Sequence, residues 1–432
     1  MSVFTSLRVR NYRLFAGGQV VSLTGTWMQR VTQDWLVLQL SHNSGTAIGI
    51  ATGLQFLPML LFSMVGGMIA DRYPKRRILL LTQAASGVTA LTLGVLDIAG
   101  LVTLWQVYLL AFTLGLASSV DTPTRQAFVS ELVGQEQLTN AIGLNSATFN
   151  TARIIGPAVA GVLIGTIGTG AVFLINAGSY LAVLAALSVM RDRELFRGKP
   201  ASRAPGQIRA GLSYVRSRTD LLLPIVLVGI VGTFGFNFQM TTALLAKETF
   251  HRSATGYGAL SALLAVGSLM GALLAARRTR RVRVRLLVGS AIAFGVLTVV
   301  DGLMPTYPAF AVSLVPTGIA ALTFSTSANS IVQLGTSPAM RGRVMALYML
   351  VFAGGTPIGA PAIGWVAEQL GARYSLIVGG GISALTGLAV AIVVGRSSHL
   401  RVSAHIRPHP HLHLRPGGSL PPQAVYDEAR SA

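Results

Sequence analysis

Long apolar stretches alternate with short polar breaks along most of the chain. Crossing about 30 Å of hydrocarbon takes roughly 20 residues, and apolar runs of that order lie near 14–40, 46–70, 78–98, 104–124, 139–165 and 170–190. After the longest polar interruption, six more follow near 221–244, 256–276, 286–304, 307–333, 344–369 and 373–395. The pattern predicts twelve transmembrane helices and an all-α integral membrane fold, because a segment in hydrocarbon must satisfy its backbone groups internally. A gap-free shift of 204 residues lays Gly67 on Gly271, Arg76 on Arg280, Arg77 on Arg281, Ile154 on Ile358, Pro157 on Pro361 and Val162 on Val366. Such a repeat predicts two pseudo-symmetric six-helix bundles, the arrangement of one large class of secondary transporters. Residues 1–190 and 220–395 are the expected bundles, 191–219 a cytoplasmic linker, and 396–432 a polar cytoplasmic tail without regular structure.

Composition agrees: 52% of residues are apolar and 11% charged, against about 25% charged in an ordinary soluble domain. The 48 glycines and 18 prolines suit helices that pack closely or break within a bilayer. A net charge of +20 in a soluble protein would point to nucleic acid. Placement decides otherwise. With the N-terminus in the cytoplasm, 29 of the 34 lysines and arginines fall on the cytoplasmic side of the predicted spans, a positive-inside pattern that puts both termini inside. The basic residues also lack the interleaved aromatics of an RNA-binding face, so no nucleic-acid partner is expected. The first apolar run is too long for a signal-peptide core and reads as the first span. The chain has no cysteine, which removes disulfides, thiolate metal sites and cysteine nucleophiles.

The loop after the second run reads Gly67-Met-Ile-Ala-Asp71-Arg72-Tyr73-Pro74-Lys75-Arg76-Arg77. It resembles the G-x-x-x-D-R-x-G-R-K signature of the major facilitator superfamily, with Pro74 where the second glycine usually stands. The resemblance implies a conformational latch made by Gly67, Asp71, Arg72, Arg76 and Arg77, carried mainly by Asp71 because the second copy has Ala275 in place of the acid. The fifth span carries Gly143, Ala152, Gly156, Pro157, Ala160 and Gly161. This resembles the exporter-associated G-x8-G-x3-G-P-x2-G-G motif, with alanine at two glycine positions. Small residues there let a partner helix approach, and Pro157 loosens the backbone. With Trp27-Met28-Gln29-Arg30, Ala152 to Pro157, and Arg341-Gly342-Arg343-Val344-Met345, residues 5–395 resemble the bacterial branch of secretion and efflux carriers that includes the enterobactin exporter. The resemblance favours export.

In the first span Gln19, Ser22, Thr26, Gln29 and Gln33 share one helical face, with Arg30 and Asp34 beside it, four residues apart and close enough to pair. Ionisable groups at membrane depth are costly unless they pair or line water, so they are functional candidates. Asp34 reads either as a protonatable coupling site or as half of a permanent ion pair with Arg30. Arg153, in a span without an acid, reads as facing the cavity for an anionic substrate or coupling, or as a latch capped by carbonyls. Asn237 joins Gln29, Arg30, Gln33, Asp34 and Arg153 as a coupling or cavity residue. Asp121 with Arg125, and Arg341 with Arg343, are expected at the cytoplasmic gate. The tail histidines lack ligand spacing, and no metal or cofactor is expected.

No nucleophile-base constellation, in-span histidine or G-x4-G-K-[ST] loop occurs, which argues against a membrane enzyme and against ATP-driven pumping. The sequence therefore predicts a monomeric secondary transporter in the cytoplasmic membrane. It would export a small organic solute (drug, siderophore or secondary metabolite) in exchange for protons; the alternative is an importer or a lipid flippase on the same scaffold.

Overall fold

A computed structural model of the chain describes residues 5–196, 207–277, 282–337, 340–397, 400–405 and 411–416. Helices dominate. They run α1 (Arg10–Leu40), α2 (Gly45–Arg72), α3 (Lys75–Ile98), α4 (Leu104–Val189), α5 (Gln207–Arg216), α6 (Thr219–Ile230), α7 (Phe238–Leu244), α8 (Ala254–Ala276), α9 (Val284–Leu303), α10 (Tyr307–Gly335), α11 (Arg341–Gly354), α12 (Thr356–Leu370) and α13 (Ala372–Ser397). Wider turns at Val231–Gly235 and Leu245–Thr249 continue α6 and α7. After α13, Leu400–His405 pairs antiparallel with His411–Pro416, a ribbon in the segment expected to lack regular structure.

Ten helices among the described residues are long and apolar enough to cross a membrane by length and composition, against the twelve expected. The difference lies at two places. One of the ten, 136–189, is 54 residues long and turns at Gly168, whose φ of 84° is open to glycine and strained for other residues. The helix α1 is 31 residues long but is not among the ten, because its polar stripe lowers its hydropathy. Large apolar side chains such as Leu81, Leu181, Val312 and Leu385 lie exposed, the outward faces that lipid would cover.

Two groups of helices result, α1 to α4 packing on one another and α6 to α13 likewise. Glycines set the close crossings in each. An added Cβ at Gly66 or Gly115 would run into the Ser119 and Gln55 carbonyls between α2 and α4. In the second group Gly267 and Gly318 bring α8 and α10 together in the same way. Close backbone approach of this kind is how helices associate where lipid removes the hydrophobic drive.

Candidate functional site

The groups meet along α2 on α12 and along α4 on α8, at the end away from the arginine-rich loops. Gly45, Gly49 and Gly53 of α2 lie against Gly364, Ala360 and Pro357 or Pro361 of α12. Gly161 lies against Ala254 and Gly258 of α8. Three polar links join the groups there. Ser44 Oγ and the Thr46 N–H donate to Glu368 Oε2 at 2.7 and 2.9 Å, Thr255 Oγ1 donates to the Gly161 carbonyl at 2.9 Å, and Tyr257 bonds Asp34. Toward the arginine-rich end Leu60 lies against Gly354, and a turn or two beyond it Val65 and Met68 of α2 and Met349 of α11 are exposed. The hydrogen bonds that join the two groups all lie at the first of these ends, the shut end.

Asp34 lies at the shut end of α1 and is 6% exposed. The Tyr257 hydroxyl, from the other group, sits 2.8 Å from Asp34 Oδ2 and 3.0 Å from the Gln239 carbonyl. One hydroxyl proton faces two acceptors. Both contacts are hydrogen bonds at once when Asp34 carries a proton, since its O–H then donates to the Tyr257 oxygen while Tyr257 donates to the carbonyl. The ion pair with Arg30, one of the two readings of Asp34 open from the sequence, is not formed among the described residues. Arg30 instead lies over Trp27, 4.7 Å from the ring centroid, and within 5.9 Å of Phe56. Arg153 lies over the same Trp27 at 5.8 Å. Trp35 stacks on Tyr257 at 6.4 Å, and Lys247 covers Trp35 at 5.1 Å.

The rest of the polar stripe on α1 is used inside the first group. Gln29 accepts from Asn176, and its Nε2 is buried without a partner among the described residues. Gln33 donates to Gln55 at 3.3 Å, and Gln19 accepts from Arg125 at 3.2 Å. Asp121 takes hydrogen bonds from Thr82 and Gln83 at 2.9 and 2.8 Å and pairs with Arg125 at 3.4 Å, so this pair ties α3 to α4. Asn237 turns back on its own helix, donating to the Thr233 carbonyl at 2.8 Å. In the small-residue motif Gly156 backs onto Trp27, Gly161 onto α8, and Gly143 meets open space; Ala152 is buried.

At the arginine-rich end Arg76 donates to the Leu187 and Ser188 carbonyls at 2.6 and 2.8 Å and pairs with Asp192 at 2.7 Å. It thereby caps the end of α4, where cations offset the helix dipole. Lys75 pairs with Glu131 at 2.7 Å. Arg72 and Arg77 are exposed, Gly67 and Asp71 half-buried. Arg343 approaches the Met340 sulfur, and Arg341 Nε is buried without a hydrogen-bond partner among the described residues. Beyond the spans, the Tyr214 oxygen accepts from the Ser337 N–H and from Arg218 at 2.9 Å. Those two bonds hold its phenol below the usual range.

Sequence reasoning missed Tyr257, Glu368 and Asp301. Asp301 on α9 is fully buried, accepts from Thr317 at 2.8 Å and leaves Oδ1 without a partner among the described residues. The 204-residue shift carries a signal for it, since it lays Asp97 on Asp301.

Two bundle-like groups that close on each other at one end define a multi-pass membrane carrier of the major facilitator fold, a transporter and not an enzyme. Solved structures agree on the fold. A bacterial homologue of the human lysosomal transporter Spinster, in an inward-facing and occupied conformation, matches with a TM-score of 0.71 at 16% identity over 90% of this chain and 97% of that one. The POT family transporter PepTSo matches with a TM-score of 0.72 at 14% identity over 90% and 98%. More particularly, the chain belongs to the transmembrane secretion effector family, whose model matches residues 1–416. It is 27% identical to the enterobactin exporter EntS of Citrobacter koseri over 84% of this chain and 87% of that protein. It is 26% identical to the staphyloferrin A transporter of Staphylococcus aureus over 60% and 66%.

Proposed function

We propose that this chain exports a small organic solute across the cytoplasmic membrane in exchange for protons. It works as a monomer with twelve spans in two six-helix bundles, 1–190 and 220–395, and with both termini in the cytoplasm. The observation that carries the coupling is Asp34, a buried carboxylate whose hydrogen bond to Tyr257 joins the two groups at the shut end. Protonation lets Asp34 and the Gln239 carbonyl both be satisfied through one hydroxyl; loss of the proton leaves the two competing for it. A proton therefore favours the shut end, and its release favours parting of that end. The distribution of basic residues supports the opposite end facing the cytoplasm, where an exported solute would enter. The named relatives, an enterobactin exporter and a staphyloferrin A transporter, support outward transport of siderophore-like solutes.

The test is efflux of a panel of fluorescent amphipathic compounds from cells expressing the protein, with and without an uncoupler, beside Asp34→Asn. Export abolished by both the uncoupler and the substitution is the expected result. Efflux that survives both would sink the coupling role of Asp34.

A further inference from the structure

Two positive side chains at mid-membrane depth have no acid committed to them. Arg30 on α1 and Arg153 on α4 both lie over Trp27, and among the described residues neither has a carboxylate at ion-pair distance. Asp34, the acid one turn from Arg30, is engaged by Tyr257. Their position follows from helical spacing. Asp34 touches the other group and Arg30 is one turn before it; the Pro157 carbonyl lies by Gly258 and Arg153 is one turn before that. Both guanidinium groups thus stand one helical turn from contacts between the two groups of helices, on the side away from the shut end. Phe149, in edge contact with Trp27 at 5.7 Å, is 41% exposed beside them and adds an apolar wall.

Resting on the transport reading above, we infer that Arg30, Arg153 and Trp27 form the recognition site for an organic anion, one that presents a carboxylate or comparable oxyanion beside an apolar or aromatic body. Two adjacent cations at membrane depth repel and are poorly solvated, and an oxyanion between them relieves both costs. Guanidinium groups suit this role because their planar fork of donors matches a carboxylate. Trp27 holds the two groups in place when no anion is present, since a cation over an indole face keeps part of its stabilisation. The chain so acquires a preference for charge sign that its apolar surfaces alone would not give.

The test measures binding on the full chain in nanodiscs of zwitterionic lipid, with Trp35, Trp105 and Trp365 replaced by Phe so that emission reports Trp27. The probes are benzoate, salicylate and 2-naphthoate, each beside its neutral amide. Saturable quenching by at least one acid, with its amide at least about tenfold weaker, is expected, because a hydrogen bond to a charged group is worth about that factor or more. Arg30→Gln and Arg153→Gln should each weaken the acid about tenfold or more and leave the amide unchanged, while Arg30→Lys and Arg153→Lys, which keep the charge and lose the fork, should weaken the acid less than the glutamine variants do. No saturable binding by any acid, or equal losses for acid and amide, overturns the inference. So does displacement of the acid by a few per cent of anionic lipid, which would assign the cluster to a headgroup. Asp34→Asn separates the two proposals: acids that still bind to a protein that no longer exports leave this site standing. Proton-coupled export of neutral compounds without acid binding would leave only the transport reading.

Discussion

The contact between Tyr257 and Asp34 is open to a clean perturbation. Tyr257→Phe removes one oxygen and keeps a ring that is fully buried and stacked on Trp35. What is lost is the bond across the shut end, 2.8 Å long. With Asp34 protonated in the shut state the bond joins neutral groups and contributes about 0.5–1.5 kcal/mol, and about 1.4 kcal/mol is a tenfold change in an equilibrium. The balance between shut and parted states at this end should therefore move roughly 2- to 13-fold toward the parted one. The absence of cysteine makes that movement directly readable. Ala360→Cys places a single thiol at a position that is fully buried in the shut end, on the helix turn facing Gly49. Its rate of maleimide labelling in membranes rises in proportion to the parted population while that population is small. Adding Tyr257→Phe should raise the rate by the factor above. A rate within twofold of the parent, in protein that is equally abundant and folded, would show that this bond does not hold the end shut.

Two further substitutions follow from the packing. Gly364→Leu sets a side chain where even a methyl would meet the Gly45 carbonyl and come within 3.3 Å of the Gly49 Cα; it should raise labelling of the same thiol and abolish transport, and normal transport would refute a need for close approach there. Arg76→Ala removes donors to Leu187, Ser188 and Asp192; the first bundle should lose about 1–3 kcal/mol, seen as a lower melting temperature, with the labelling rate at the shut end unchanged.

Helix placement was legible in the sequence because it depends on length and hydropathy alone, and the 204-residue repeat gave the division into two groups. The count was harder. A polar stripe hides α1 from a hydropathy measure, and Gly168 breaks a helix that is apolar on both sides. The roles of polar residues were less legible still. Arg30 and Asp34 are four apart, which allows a pair, but each finds a partner that spacing along one helix does not display: Trp27 for the first, Tyr257 from 223 residues away for the second. Asp121 and Arg125 do pair. The distinction is that Thr82 and Gln83 of α3 fix that carboxylate on the side of the arginine, whereas Tyr257 draws Asp34 toward the other group.

The make-up of the shut end also explains how it can open. Among the described residues no ion pair joins the two groups. Glycine backbones approach one another there, and the polar links are Ser44 and Thr46 to Glu368, Thr255 to Gly161, and Tyr257 to Asp34. Turning a two-state balance from 99:1 to 1:99 takes about 5.5 kcal/mol. Four hydrogen bonds at about 0.5–3 kcal/mol each are of that size, so a change of one proton at Asp34, acting on one of the four, is a substantial fraction of the whole. A shut end held by buried ion pairs would be costlier to break, since parting would leave charges without partners.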